Sequence, residues 1–181
     1  MPLSEAARAP DGPALRIVVM GVSGCGKSTL GAALADELQL PYIEGDALHP
    51  PRNVERMAAG VPLTDADRHG WLHAVAQQLG NAAAQVQGVV VSCSALKRSY
   101  RYLLRAAAPD LRLIFLHGAP AILAERLQAR KGHYMPPSLL QSQLTTLEPP
   151  AADEAPIALD IAAAPAALVA EALRQLRAAR G

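Results

Sequence analysis

The stretch Gly21-Val22-Ser23-Gly24-Cys25-Gly26-Lys27-Ser28 leaves few options for the chain that carries it. It fits the pattern G-x-x-x-x-G-K-[ST], and its flanks matter as much as the match. Before it runs Leu15 to Met20 (LRIVVM), short and apolar like a buried strand. After it Leu30, Leu34 and Leu38 recur every fourth residue, as on one face of a helix. Strand, glycine-rich loop and helix form the setting in which backbone N–H groups turn inward around phosphate oxygens. The helix N-terminus adds a favourable dipole. Lys27 then reaches the β- and γ-phosphates, and the Ser28 hydroxyl stands where it can ligand Mg²⁺. A ligand-free glycine turn would need none of this context. The stretch therefore implies an ATP-binding loop made of Gly21, Val22, Ser23, Gly24, Cys25, Gly26, Lys27 and Ser28.

Further strand-like runs follow at Leu40–Glu44, Val89–Cys93, Leu111–Leu116 and Ile157–Ile161, each separated from the next by helical patterning. Thr64 reads as a helix N-cap, with Asp65 and Asp67 in the first turn, where the dipole favours acids. Proline and glycine pairs close most helices, and Gly132 with Pro136-Pro137 brackets a loop expected to act as a lid over residues 131–137. Five strands alternating with helices predict an α/β fold, a five-stranded parallel sheet with helices on both faces. The expected organisation is a loose N-terminal tail, 1–14, and one domain over 15–181. Ligands of such sheets gather beyond the carboxyl ends of the strands, so the residues following each strand deserve the closest reading.

Composition narrows the partners. Net charge is +1, which gives no basic face for nucleic acid, and no apolar run approaches membrane-spanning length. Met1 to Pro13 lacks the apolar core of a signal peptide. One of only two cysteines, Cys25, sits inside the phosphate loop, where a disulfide would obstruct the ligand; a reducing cytoplasm is the simpler expectation. Aromatics make up 3%, so the core must be built from Leu, Val, Ile and Ala. Lysine is scarce beside arginine, occurring only at 27, 97 and 131.

Asp46, just past the second strand, can face the phosphate loop across the mouth of the sheet. A carboxylate there can take the proton of an attacking hydroxyl or help organise Mg²⁺. The plainer alternative is a turn aspartate bonded to its own backbone. The third strand ends Ser92-Cys93-Ser94, without the usual metal-organising aspartate. Arg126 and Arg130 lie one helical turn apart at the lid entrance and can point together, one toward a base and one toward phosphates. His69 and His73 are four apart, but no third ligand of suitable spacing accompanies them, which favours a surface or packing role. Cys25 at a helix N-terminus is open to a redox reading, and Trp71 to a core one.

Taken together, several stretches resemble the bacterial-type gluconokinases. These are GVSGCGKS at Gly21–Ser28, EGDALHP at Glu44–Pro50 and NVERMAAGVPLTDADRHGWL at Asn53–Leu72. SCSALKRSYRYLLR at Ser92–Arg105 and ERLQARKGHYMPPSLLQSQLTTLEPP at Glu125–Pro150 complete the set. The resemblance implies phosphorylation of D-gluconate by MgATP to 6-phospho-D-gluconate, on a P-loop kinase fold similar to shikimate and adenylate kinases, in a cytoplasmic homodimer. It adds Thr29 to the triphosphate site and gives Asp46 the acceptor hydroxyl. Arg126 and Arg130 match an arginine pair serving adenine and phosphate, with Arg130 joining Lys27 and Asp46 in catalysis. For the gluconate carboxylate and hydroxyls the candidates are Asp46, His49, Arg52, Arg68, Lys97 and Arg101, with Arg68 and Lys97 foremost.

Overall fold

The computed structural model describes residues 13–130 and 136–180. Its centre is strand β1, Arg16–Met20, in which all five residues are buried. It is flanked by β3, Val89–Ser92, and β4, Arg112–His117; β2, Tyr42–Glu44, and β5, Ile157–Asp160, form the edges. All pairings are parallel, in the order β2-β3-β1-β4-β5. The predicted five-stranded parallel sheet is thus present. Successive side chains of β1 point to opposite faces, so each face needs its own apolar cover. Ile17 and Val19 face one cluster with Leu30, Leu34, Leu123 and Leu176; Val18 and Met20 face the other with Trp71, Val75, Leu79 and Leu104. The first cluster draws on helices α1, Lys27–Leu38, α5, Pro120–Ala129, and α7, Pro165–Ala178. The second draws on α3, Asp65–Ala84, and α4, Arg98–Ala107. Burying a single leucine such as Leu34 contributes about 1.5–3 kcal/mol.

The strand ends shift by one or two residues from expectation, for local reasons. Strand β2 begins at Tyr42 rather than Leu40. Pro41 has no N–H for the ladder, although its carbonyl accepts from Val90 N–H at 2.9 Å. Two further helices, α2, Pro51–Ala58, and α6, Pro137–Thr146, start on proline, which is pre-set for the first helical turn. Thr64 caps α3 as expected. Its hydroxyl accepts from Asp67 N–H at 3.1 Å, and its own N–H donates to the Asp67 carboxylate at 2.9 Å. The expected lid falls on residues 131–135, outside the described residues, with Pro136 and Pro137 already opening α6. The expected tail lies outside them as far as residue 12. None of the described helices is long and apolar enough to cross a membrane.

Candidate active site

The loop between β1 and α1 wraps as the sequence predicts. Gly24 and Gly26 take φ of 83° and 93°, a region L side chains rarely adopt, and Gly26 is the N-cap of α1. No acidic residue lies in the first turn of α1, which leaves its positive end free to meet an anion. Lys27 is buried and donates from Nζ to the Val22 carbonyl at 3.2 Å. Cys25 is also buried. A second tether comes from far along the chain: the Ser23 N–H donates to Oε1 of Gln143, on α6, at 2.7 Å.

The hydroxyl of Ser28 donates to the carboxylate of Glu44, at the end of β2. Tyr42 O–H reaches the same carboxylate at 2.8 Å and Ser92 Oγ at 2.7 Å, and the Asp46 N–H adds a longer bond at 3.4 Å. Burial pushes the Glu44 carboxyl up, but the bonds from Ser28, Ser92 and Tyr42 outweigh it and hold it below the ordinary value. Glu44 therefore stays ionised beside the P-loop serine. The sequence alone singles out Asp46 as the carboxylate candidate and leaves open which group assists the metal. The missing aspartate at the end of β3 was the available signal, because β2 and β3 pair in register at Glu44 and Ser92. The carboxylate simply arrives from the neighbouring strand, and Ser92 holds it.

Beyond Glu44 the chain makes a tight turn, Gly45–Leu48, pressed onto β3. A Cβ on Gly45 would lie 2.0 Å from the Ser92 carbonyl oxygen, so only glycine lets the turn come this close. Asp46 is exposed on the turn and lines a cleft with Ser23, Lys27, His49, Arg68, Trp71 and Gln143. Arg68 is only 9% exposed and donates to Tyr100 O–H at 3.1 Å. Tyr100 in turn donates to Asp65, which also accepts from Lys97 at 3.0 and 3.1 Å.

The structure separates the arginine and lysine candidates. Arg68 faces the cleft. Lys97 stands behind it on the Asp65 carboxylate and does not line the cleft. Arg52 is exposed on α2, also away from it. Arg101 is 2% exposed and packed into the protein, where it meets Glu154 from Nε at 2.6 Å and the Ala95 carbonyl from Nη1 at 2.9 Å. It is held as part of the framework, because each of those donors already has a protein partner. On the other side of the loop, Arg126 donates to the Ile161 carbonyl at 2.6 Å, placing its guanidinium beside the segment after β5. Arg130 is exposed at the C-cap of α5, and Thr29 is exposed on the first turn of α1. His69 and His73 are exposed, with ring centroids 4.4 Å apart, and no cluster of three or more potential metal ligands occurs among the described residues.

The shikimate kinase family model matches residues 23–176. Gluconokinase of Gluconobacter oxydans (strain 621H) is 47% identical over 162 residues, 90% of this chain and 91% of that protein. Thermoresistant gluconokinase of Escherichia coli (strain K12) is 45% identical, over 76% of this chain and 78% of that one. The crystal structure of a gluconokinase from Sinorhizobium meliloti 1021 superposes with a TM-score of 0.85 at 51% identity, covering 93% of this chain and 95% of that one.

Proposed function

The chain belongs to the gluconokinase family, within the shikimate kinase group of P-loop phosphotransferases, and from that premise we propose how its residues carry the reaction. ATP donates its γ-phosphoryl group to the 6-hydroxyl of D-gluconate, giving 6-phospho-D-gluconate and ADP. The single observation that carries the division of labour is the cleft shared by Lys27, Asp46 and Arg68. It brings a phosphate-binding cation, a carboxylate and an acceptor-side cation into one space.

The residues from Gly21 to Thr29 hold the triphosphate, with Lys27 leaving the Val22 carbonyl to meet the β- and γ-phosphates. The Asp46 carboxylate takes the proton of the 6-hydroxyl as its oxygen bonds to phosphorus and the bond to the β-phosphate oxygen breaks. Arg68 holds the gluconate carboxylate, since a planar guanidinium can meet both carboxylate oxygens at once. His49 faces the sugar hydroxyls. Arg126, beside the segment after β5, and Arg130, at the end of α5, serve the adenine and phosphate side. Lys97, through Asp65 and Tyr100, steadies Arg68 from behind. Arg52 and Arg101 take no part in holding the substrate. Little covalent chemistry falls to the protein, so positioning and charge neutralisation supply most of the acceleration.

Mg²⁺ suits the donors at the loop mouth. A serine hydroxyl beside an ionised carboxylate offers oxygen atoms of the kind this hard cation takes. Ser28 would hold it and Glu44 would organise its surroundings, and the ion would supply charge neutralisation between the phosphates. The family resemblance further supports a homodimer with a lid over 131–137. Two free cysteines fit the reducing cytoplasm. The deciding experiment is ADP release coupled to NADH oxidation, compared across gluconate, shikimate, gluconolactone, glucose and nucleoside monophosphates. Turnover is expected with gluconate. Turnover of shikimate or a nucleotide without gluconate would overturn the substrate.

A further inference from the structure

Asn53, on α2, is 2% exposed, and both hydrogens of its side-chain NH₂ have a neighbour to meet. Its Nδ2 lies 2.8 Å from the carbonyl oxygen of Asp67 and 3.2 Å from Nδ1 of His49. A backbone carbonyl can only accept, so the group facing Asp67 must be the amide NH₂, which fixes the orientation of the asparagine. The second hydrogen of that NH₂ then points to Nδ1, and Nδ1 must accept it. A neutral imidazole with Nδ1 unprotonated carries its proton on Nε2.

The ring has no freedom to escape this assignment. It stacks on Trp71 with centroids 4.1 Å apart and planes 16° from parallel. Trp71 is itself locked, 1% exposed and bonded from Nε1 to the Gly45 carbonyl at 2.8 Å. Stacking fixes the plane of His49 but is satisfied by either of the two ring orientations a half-turn apart, and the Asn53 bond selects the one that brings Nδ1 to its NH₂. Flipping the ring would break the Asn53 bond. No described residue bonds Nε2, and His49 lines the cleft beside Asp46 and Arg68. Burial and the Arg68 charge push its pKa down, the nearby Asp46 pushes it up, and the balance lies below the ordinary value, so the ring is neutral near pH 7.5.

We infer that Asn53 is a positioning residue that holds His49 as the Nε2–H tautomer, so that His49 offers the cleft a hydrogen-bond donor and cannot serve as a general base. The group it takes is a lone pair on a sugar-acid oxygen, either hydroxyl or carboxylate, and the proton-accepting role is left to Asp46. For the identity of that substrate the inference rests on the gluconate reading; the tautomer rests on geometry alone. Asn53 thereby sets specificity without touching substrate. A site that presents a fixed donor discriminates against an acceptor molecule lacking the matching oxygen.

The test is long-range ¹H–¹⁵N correlation NMR on the full chain labelled at histidine, with His49 assigned by difference from His49→Gln. The expected result at pH 7.5 is the neutral pattern with the proton on Nε2. A proton on Nδ1, or a doubly protonated ring, would overturn the inference whether or not any variant folds. Asn53→Asp, the same shape with an acceptor in place of the donor, should move the proton to Nδ1. It should also raise the gluconate KM about tenfold while the ATP KM stays within twofold. An unchanged tautomer in that folded variant, or equal increases in both KM values, would also overturn it. The spectrum needs no turnover. An Nε2–H ring in a protein that fails to phosphorylate gluconate would sustain the positioning role and sink the substrate; gluconate turnover with an Nδ1–H ring would do the reverse.

Discussion

Ser28 and Glu44 are joined directly, hydroxyl to carboxylate, so the first turn of the phosphate-binding helix is tied to the last residue of the edge strand β2. The bond holds the serine ready and keeps the carboxylate ionised at the place where metal and phosphate would meet. Glu44→Gln retains the shape and loses the charge. The Mg²⁺ concentration for half-maximal rate should rise about 10–100-fold, the usual cost of removing a residue that orients a metal ligand. A Mg²⁺ titration at saturating ATP and gluconate measures it. An unchanged midpoint would take Glu44 out of the metal's surroundings.

Asp46→Asn removes the proposed proton acceptor without altering the turn. The expected loss in kcat is about 10²–10⁴-fold, the range for general-base catalysis, with ATP binding nearly unchanged. Stopped-flow turnover and a nucleotide-binding titration separate the two quantities. Loss of ATP binding in parallel with turnover would show that Asp46 acts on the phosphate side instead.

Arg68 and Lys97 should part company. Arg68→Ala deletes a nearly buried guanidinium that faces the cleft. A hydrogen bond to a charged partner is worth about 1.5–3 kcal/mol, so kcat/KM for gluconate should fall roughly 10–150-fold. Arg68→Lys should recover only part, since a point-like ammonium lacks the planar fork of separate donors that matches the two oxygens of a carboxylate. Lys97→Ala breaks an exposed bridge to Asp65 and should cost less than about fivefold. Equal losses at the two positions would mean that Lys97 also reaches the substrate.

The buried pair of Arg101 and Glu154 belongs to stability. Truncating one partner strands the other's charge, which typically costs about 3–5 kcal/mol, so Arg101→Ala should melt much earlier while keeping its turnover per folded molecule. The pH dependence follows from the carboxyl. The Arg101 guanidinium, against opposing burial, holds Glu154 below its ordinary value of 4.5. Its stabilisation is therefore complete above that value and is lost as the pH falls below it through the folded-state pKa. Melting temperatures of the wild type and Glu154→Gln should converge in acid. Curves that stay parallel from pH 7 to pH 3.5 would contradict this.

Cys93 is fully buried, and burial pushes its thiol up to about 12. In the native protein at pH 8 it should resist Ellman's reagent for as long as the fold holds, and react at once in guanidinium. Rapid native labelling assigned to Cys93 by peptide mapping would show that the β3 end opens.

Much of this was legible from sequence because the signals are local. The phosphate loop is a contiguous pattern between a strand and a helix. Thr64 and Asp67 sit three residues apart, and the helix-opening prolines announce themselves. What sequence could not display is destination. Arg68 and Arg101 both lie in family-like stretches, yet one meets a tyrosine at the edge of a cleft and the other meets Glu154 in the interior. Nothing beside either residue states which. Glu44 was hidden for a related reason, since its meaning depends on the parallel register that sets it against Ser92, 48 residues away. Nothing beside Asn53 in the sequence announces that His49 and Asp67 meet its amide. Gln143 reaches Ser23 across 120 residues.

The contact of Gly45 with the Ser92 carbonyl has a consequence for how such an enzyme can change. There, main chain rests on main chain, which acts as a mechanical stop for the turn that carries Asp46. The location of the proposed proton acceptor then depends on this main-chain contact and on the Trp71 and Glu44 side chains that bond the turn, and the turn itself makes no side-chain bond to His49 or Arg68. His49 and Arg68 can be exchanged, and a different polyol acid admitted, while the Asp46 carboxylate keeps its place. New acceptors become accessible by repainting one wall of the cleft, and the turn that carries Asp46 is inherited unchanged.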